Sequence, residues 1–257
     1  MKHITIDFKK YTSIHIGGKH KVAVIDDIIP MMNYTIIGKG NNLLISSKPP
    51  KLAILGDQFD YILQKNNQLI VGAATSSGKL LTYCKKHNIA NMEFLAKLPG
   101  NIGGLTKMNA GLKQWEIFKY IKYIKTSAGI INKQDINYSY RHTDINDIIY
   151  EVVFELSFGF DIEKQKMFIQ MRNNQPNLPS AGSCFKNPKQ HSAGYLIEKV
   201  GLKGYTIGGM AFSSIHANFL VNLGGGTYDE AIKLIKLAKD KVQQQFNITL
   251  EEEIVIL

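Results

Sequence analysis

Over residues 1–50 the hydrophobic positions come in short bursts between glycine and asparagine turns, and they read as strands. Ile14-His15-Ile16 runs into Gly17-Gly18, residues 21–25 alternate, and the β-branched run 34–37 stops at Gly38-Lys39-Gly40-Asn41-Asn42 before strand resumes at 43–45. Further strands are expected at 52–55 and 68–73. The period then lengthens: Ser76-Ser77 caps a helix to residue 87, with Leu80, Leu81 and Cys84 on its apolar face. Residues 120–125 and 129–132 predict a hairpin, and 148–158 a strand. A helical pattern begins at Asp161, so Phe158-Gly159 is the expected domain boundary, separating 1–158 (subdivided near 1–50 and 51–158) from 159–257.

In the second part a basic helix ends near Arg172, stopped by Pro176 and Pro179. Residues 179–188 read as a small-residue turn holding Ser183, Lys186 and Asn187. Residues 191–200 form a short helix closed by Gly201, and 202–212 and 217–222 are strands. Thr227 and Glu230 have the spacing of a capping box for a helix carrying Ile232, Ile235, Ala238, Val242 and Phe246. A last strand is expected at 254–257.

Composition narrows the class. At 257 residues, 44% hydrophobic and 20% charged, the chain can bury a sizeable core and is expected to be globular. No apolar run approaches the roughly 20 residues of a membrane span, and the N-terminus lacks a signal-peptide pattern, so a cytoplasmic protein without membrane insertion is expected. Two cysteines give no disulfide framework, and the seven histidines show no paired ligand spacing, so no metal site is expected. The net charge of +10 is spread along the chain without an aromatic-interleaved platform, which argues against nucleic acid and suits small phosphorylated substrates.

The candidate chemistry centres on two glycine segments. In residues 98–111, Leu-Pro-Gly-Asn-Ile-Gly-Gly-Leu-Thr-Lys-Met-Asn-Ala-Gly, apolar residues separate the glycines, so backbone N–H groups can approach a ligand closely. A buried turn between core elements is the plain alternative. Gly38-Lys39-Gly40-Asn41-Asn42 offers a nest of N–H groups and two amides suited to a pyrophosphate; its plain alternative is a hairpin turn. It is no dinucleotide-binding Rossmann fingerprint, because no helix follows and the third glycine is missing. We expect the two segments to lie along a flat, phosphate-bearing cofactor. Cys184 has no base nearby in sequence and reads as packing.

These segments belong to an ordered series: Tyr11-Thr12…Ile16-Gly17-Gly18, Gly38-Lys39-Gly40-Asn41-Asn42-Leu43-Leu44, Leu98-Pro99-Gly100-Asn101-Ile102-Gly103-Gly104, Met108-Asn109-Ala110-Gly111, Tyr140-Arg141, Gln175-Pro176, Gly182-Ser183-Cys184-Phe185-Lys186-Asn187-Pro188, Ala193-Gly194-Tyr195-Leu196-Ile197-Glu198…Gly201-Leu202-Lys203-Gly204, His216-Ala217-Asn218-Phe219 and Leu250-Glu251-Glu252-Glu253-Ile254. In order and spacing the series resembles the flavin-dependent UDP-N-acetylenolpyruvoylglucosamine reductases of bacterial peptidoglycan synthesis, in a short variant. Asn41 and Asn101 stand where that family usually has Ser or Thr, and Thr143 where it has Ser.

The resemblance implies an α+β fold: an FAD-binding domain of the vanillyl-alcohol-oxidase/p-cresol-methylhydroxylase type with two subdomains, then a smaller α/β substrate-binding domain. It implies FAD as cofactor, NADPH as co-substrate and a UDP-sugar as substrate, and it leaves oligomeric state open. Ser183 would donate a proton to the enolate, with Arg141 and Glu253 stabilising it; Glu251 and Glu252 compete for the last role. Gly38, Gly40, Asn41 and Asn42 would contact the FAD pyrophosphate, and Pro99, Gly100, Gly103, Gly104 and Asn109 would flank the flavin. Arg172, Lys186, Asn187 and Lys203 would bind the UDP diphosphate. Another FAD-linked oxidoreductase on the same scaffold is the alternative.

Overall fold

The computed structural model describes residues 1–30 and 33–257. It is an α+β structure of short strands and six α-helices among the described residues: α1 (Phe8–Tyr11), α2 (Ser77–Lys86), α3 (Ile102–Lys107), α4 (Ile162–Met171), α5 (Ala193–Lys199) and α6 (Tyr228–Phe246). The chain divides into two compact units. One comprises Met1–Ile4, Val22–Lys39 and Lys51–Asn173; the other comprises Thr5–Lys21, Gly40–Pro50 and Asn174–Leu257.

The first unit is built on a five-stranded antiparallel sheet in the order Gly129–Asn132, Ile121–Thr126, Ile149–Glu155, Gln68–Gly72, Ile62–Lys65. The predicted hairpin turns where Thr126 pairs with Gly129. Leu69, Val71, Ile124, Val152 and Phe154 form its buried face, against which Leu80 and Cys84 of α2 and Phe168 of α4 pack. Ser76 caps α2 by accepting from Lys79 N at 3.2 Å. Beside this sheet, Val22–Ile25 and Thr35–Ile36 flank Leu52–Leu55 in parallel. Tyr150 joins the two layers: its ring packs 4.9 Å from Phe59, and its hydroxyl accepts from Ile29 N and donates to Ile29 O.

The second unit is organised around a sheet ordered Ser180–Ser183, Phe219–Asn222, Met210–Phe212, Thr206–Ile207, covered by α6. The capping box is present at Thr227 and Glu230. The buried stripe of α6 is Ala231, Leu234, Ile235, Ala238 and Val242, with Ile232 and Phe246 only partly buried. Gly201, at φ +74, follows α5 as expected.

Several local expectations change. The compact division falls at residues 173 and 174 rather than 158–159, because α4 belongs to the first core: Phe168 is fully buried there, and Glu93 accepts from Asp161 N at 3.1 Å. Residues 5–21 and 40–50 join the C-terminal part because Leu43–Leu44 pairs in parallel with Val255–Ile256, and Ile14 and Ile16 share a core with Phe185 and Leu196. The Gly38–Asn42 turn is therefore not a hairpin, since the strands on either side of it lie in different sheets. Residues 98–111 contain α3, residues 8–11 form α1, and the turn expected at 179–188 begins as a strand.

Candidate active site

The first glycine segment works by close approach. Gly100 holds φ +136, and Asn101 leads into α3 at the N-cap position without a side-chain cap bond. Gly103 N donates to Ala73 O at 2.9 Å, and a Cβ on Gly103 would sit 2.8 Å from Ala73 Cβ, so only glycine lets α3 rest on the end of strand Gln68–Gly72. A Cβ on Gly104 would meet nothing within 4 Å, so that face of α3 is open. Gly38 lies beside Asn101, where a Cβ would come 3.8 Å from Asn101 Cβ. Asn101 Oδ1 is buried without a hydrogen-bond partner. An open glycine face next to an orphaned buried amide oxygen fits a flat, polar-edged cofactor, since buried polar atoms ordinarily find partners.

In the second unit Gly40 holds φ +70, with a Cβ position only 3.1 Å from Tyr11 and Thr12. Ser13 Oγ donates to Asn41 O at 3.3 Å, and Asn42 Nδ2 donates to Glu253 O at 2.8 Å. The Asn42 side chain and carbonyl are thus both tied to the C-terminal segment, the carbonyl accepting from Val255 N at 2.9 Å.

Arg141 is held from several sides within the first unit. It occupies the two-residue turn between Tyr138–Ser139 and His142–Thr143, at φ +55. A non-glycine residue in this left-handed region costs about 1–2 kcal/mol, which the surroundings must offset. Thr143 Oγ1 donates to Lys107 O at 2.6 Å, Lys107 Nζ reaches Ile145 O, and Asn109 Nδ2 donates to Ser139 O at 2.9 Å, stapling the hairpin to the end of α3. The Arg141 guanidinium donates to Gly111 O at 3.0 Å and Asn109 O at 3.4 Å, lies 3.7 Å from Glu116, and sits 4.9 Å from the Tyr140 ring centre. Asn109 is fully buried; its side chain accepts from Phe118 N, and its backbone carbonyl is the atom that meets Arg141.

Arg172 follows α4 and is 8% exposed, yet its Nε and Nη2 have no hydrogen-bond partner. Burial lowers its pKa to about 10, and the Arg141 charge adds to the effect. Two guanidinium groups therefore share a region, and one presents unsatisfied donors.

In the second unit the Ser183 turn is pinned beside the C-terminal segment. Gly182 takes φ +83, where the pairing with strand Phe219–Asn222 slips out of register. Cys184 N donates to Asn218 O, while the Asn218 side chain accepts from Phe185 N and donates to Phe185 O. Glu253 N donates to Cys184 O at 2.9 Å, so Ser183 and Glu253 come from adjoining segments. Glu251 binds Lys186 and Glu252 binds Lys239, which sorts the three glutamates by partner. Asn187 Oδ1 accepts from Ala193 N, and Lys203 pairs with Glu198. Burial raises the pKa of both cysteines, Cys84 to about 12 with help from Glu93, and both are packing residues. Glu116 and Asn218 were given no role from sequence; the motif Asn218-Phe219 was visible, but its bonds to residue 185 were not.

Of the sequence-expected catalytic trio, Ser183 and Glu253 belong to the second unit and Arg141 to the first. Among the described residues no cluster of His, Cys, Asp or Glu side chains could hold a metal ion, and no helix is long and apolar enough to cross a membrane.

Residues 174–257 match the family profile described as UDP-N-acetylenolpyruvoylglucosamine reductase, C-terminal domain. Over 98% of its length the chain is 45% identical to the UDP-N-acetylenolpyruvoylglucosamine reductase of Campylobacter jejuni strain RM1221, covering 99% of that protein. The chain belongs to this reductase family. The reductase of Helicobacter pylori strain J99 is 41% identical with both chains fully covered. The crystal structure of the Thermus caldophilus reductase superposes with a TM-score of 0.86 at 26% identity, covering 100% of this chain and 99% of that one. The reductase fold thus extends over the whole chain, including the segments that cross between the two units.

Proposed function

We propose that the protein reduces the enolpyruvyl ether of UDP-N-acetylglucosamine to UDP-N-acetylmuramate for peptidoglycan synthesis in the cytoplasm, with FAD as cofactor and NADPH as reductant. The observation that carries this is the Arg141–Arg172 pair: a buried guanidinium with two unpartnered donors calls for an anion, and the substrate offers a carboxylate and a diphosphate.

Gly38, Gly40, Asn41 and Asn42 hold the cofactor's pyrophosphate, and Pro99, Gly100, Gly103 and Gly104 flank its ring system, supported by Asn109. The bound flavin's contribution is hydride relay from NADPH to the terminal carbon of the alkene. The chain's own residues manage the charge that results. Arg141 places fixed positive charge beside the carboxylate and the developing enolate. Ser183 gives the proton to the carbon next to the carboxylate; a hydroxyl is a weak acid, but an enolate carbon is a strong base. Glu253 hydrogen-bonds at the reacting centre. Arg172, Lys186, Asn187 and Lys203 bind the sugar nucleotide, the last three exchanging their present partners for it. Residues 1–158 serve the cofactor and 159–257 the substrate in this reading, except that Arg141 also serves the substrate and Ser183 and Glu253 the chemistry.

Isotope placement tests this. Turnover in D₂O with NADPH is expected to give UDP-N-acetylmuramate with one solvent deuterium on the carbon bearing the carboxylate. Product lacking deuterium there, or no product, would overturn the proposal.

A further inference from the structure

We propose that Glu116 is a positioning residue for Arg141, fixing the direction of its guanidinium; this rests on the role just given to Arg141. Glu116 ends the strand Trp115–Glu116, which pairs with Gly111–Leu112 so that residue 116 lies opposite Gly111. Contact there is close: a Cβ on Gly111 would fall 2.1 Å from Trp115 O. The same Gly111 presents its carbonyl to Arg141 Nη2. The backbone ladder therefore fixes where the carboxylate stands relative to the guanidinium.

The Glu116 carboxylate divides its two oxygens. Oε1 lies 3.7 Å from Arg141 Nη1, and Oε2 accepts from Asn109 Nδ2 at 3.0 Å. Asn109 O in turn accepts from Arg141 Nη1. Glu116, Asn109 and Arg141 close a three-membered ring of contacts, with the Glu116 and Arg141 side chains only 24% and 13% exposed. An ion pair in such a partly desolvated place is screened less than one on the surface.

Arg141 needs this anchor for two reasons. The stapled turn fixes its backbone at φ +55, but a long side chain with several rotatable bonds is not aimed by its backbone alone. A second guanidinium, Arg172, repels it from nearby. A negative group behind Arg141 opposes that repulsion and keeps both cations available to one anionic ligand. Displacing such a group by about 1 Å costs on the order of 100-fold in rate.

Glu116→Gln keeps the shape and an acceptor for Asn109 but removes the charge. In the flavin-loaded protein, reoxidation by the enolpyruvyl sugar nucleotide is expected to slow by about 10- to 100-fold. Reduction by NADPH and the melting temperature should stay near wild type, and Glu116→Asp should recover part of the loss. In an Arg141→Ala background, Glu116→Gln should add no more than about twofold, because coupled residues are non-additive. Equal slowing of both half-reactions, or full additivity with Arg141→Ala, would overturn the proposal. If Arg141→Ala itself leaves reoxidation unchanged, the role of Arg141 fails and the Glu116 proposal with it; if Arg141→Ala slows reoxidation and Glu116→Gln does not, only the Glu116 proposal fails.

Discussion

Replacing Arg172 with methionine should make the substrate-free protein more stable and bind its substrate worse. The side chain is 8% exposed and leaves Nε and Nη2 unpartnered, so the folded protein holds a charge it does not satisfy. Its pKa falls to about 10, burial being the larger cause and Arg141 the smaller. Against an ordinary arginine near 12.5, and at about 1.4 kcal/mol per pK unit, the penalty approaches roughly 3 kcal/mol. The sign is fixed by the charge: a cation with a lowered folded-state pKa destabilises the fold fully below about pH 10, so the whole penalty is present at neutral pH. Methionine follows the same aliphatic path without the charge. Allowing for relaxation and lost packing, we expect a gain of about 1–3 kcal/mol, or roughly 3–9 °C in melting temperature for a chain of this size. Scanning calorimetry of the flavin-loaded protein at pH 7.5, with and without the enolpyruvyl sugar nucleotide, measures both effects. The wild type should gain stability from the ligand and Arg172→Met should gain much less. A melting temperature lowered by several degrees, with ligand stabilisation intact, would refute the reasoning and make Arg172 an ordinary structural residue.

Ser183→Ala should leave flavin reduction by NADPH intact and slow the second half-reaction by several orders of magnitude, read by stopped-flow absorbance; unchanged turnover would remove Ser183 from the proton-donor role. Gly104→Ala should stabilise the flavin-free chain by up to about 1 kcal/mol through helix propensity, because a Cβ there meets nothing within 4 Å. Its FAD affinity should nevertheless fall, measured by flavin fluorescence on titration, and unchanged affinity would mean that the open face of α3 does not carry the cofactor.

Much of the fold could be read from local pattern. Ser76, Thr227 with Glu230, and Gly201 mark helix ends because capping is chemistry within one turn of chain. Strand 52–55 and the hairpin at 126–129 were equally legible, the one a short apolar run and the other marked by a glycine turn. What escaped depends on partners far away in sequence. Parallel pairing of Leu43–Leu44 with Val255–Ile256 spans more than 200 positions, and no periodicity within either dipeptide announces it. The same holds for Phe168, which draws α4 into the first core and moves the boundary past 158. At the site, glycine spacing marked the two turns, but Glu116 reads as an ordinary strand-end carboxylate until the ladder sets it opposite Gly111. Asn109 was singled out with the glycines, but the partners of its amide, Glu116, Ser139 and Phe118, show only in the fold.

The most direct measurement is an anaerobic two-stage titration of the purified protein followed by the visible absorbance of its oxidised flavin. The protein should be yellow, bleach with one equivalent of NADPH and regain its colour with one equivalent of enolpyruvyl-UDP-N-acetylglucosamine in the absence of oxygen. Bleaching by NADPH with no recovery on adding the sugar nucleotide, or a colourless protein that cannot take up FAD, would contradict the proposed function.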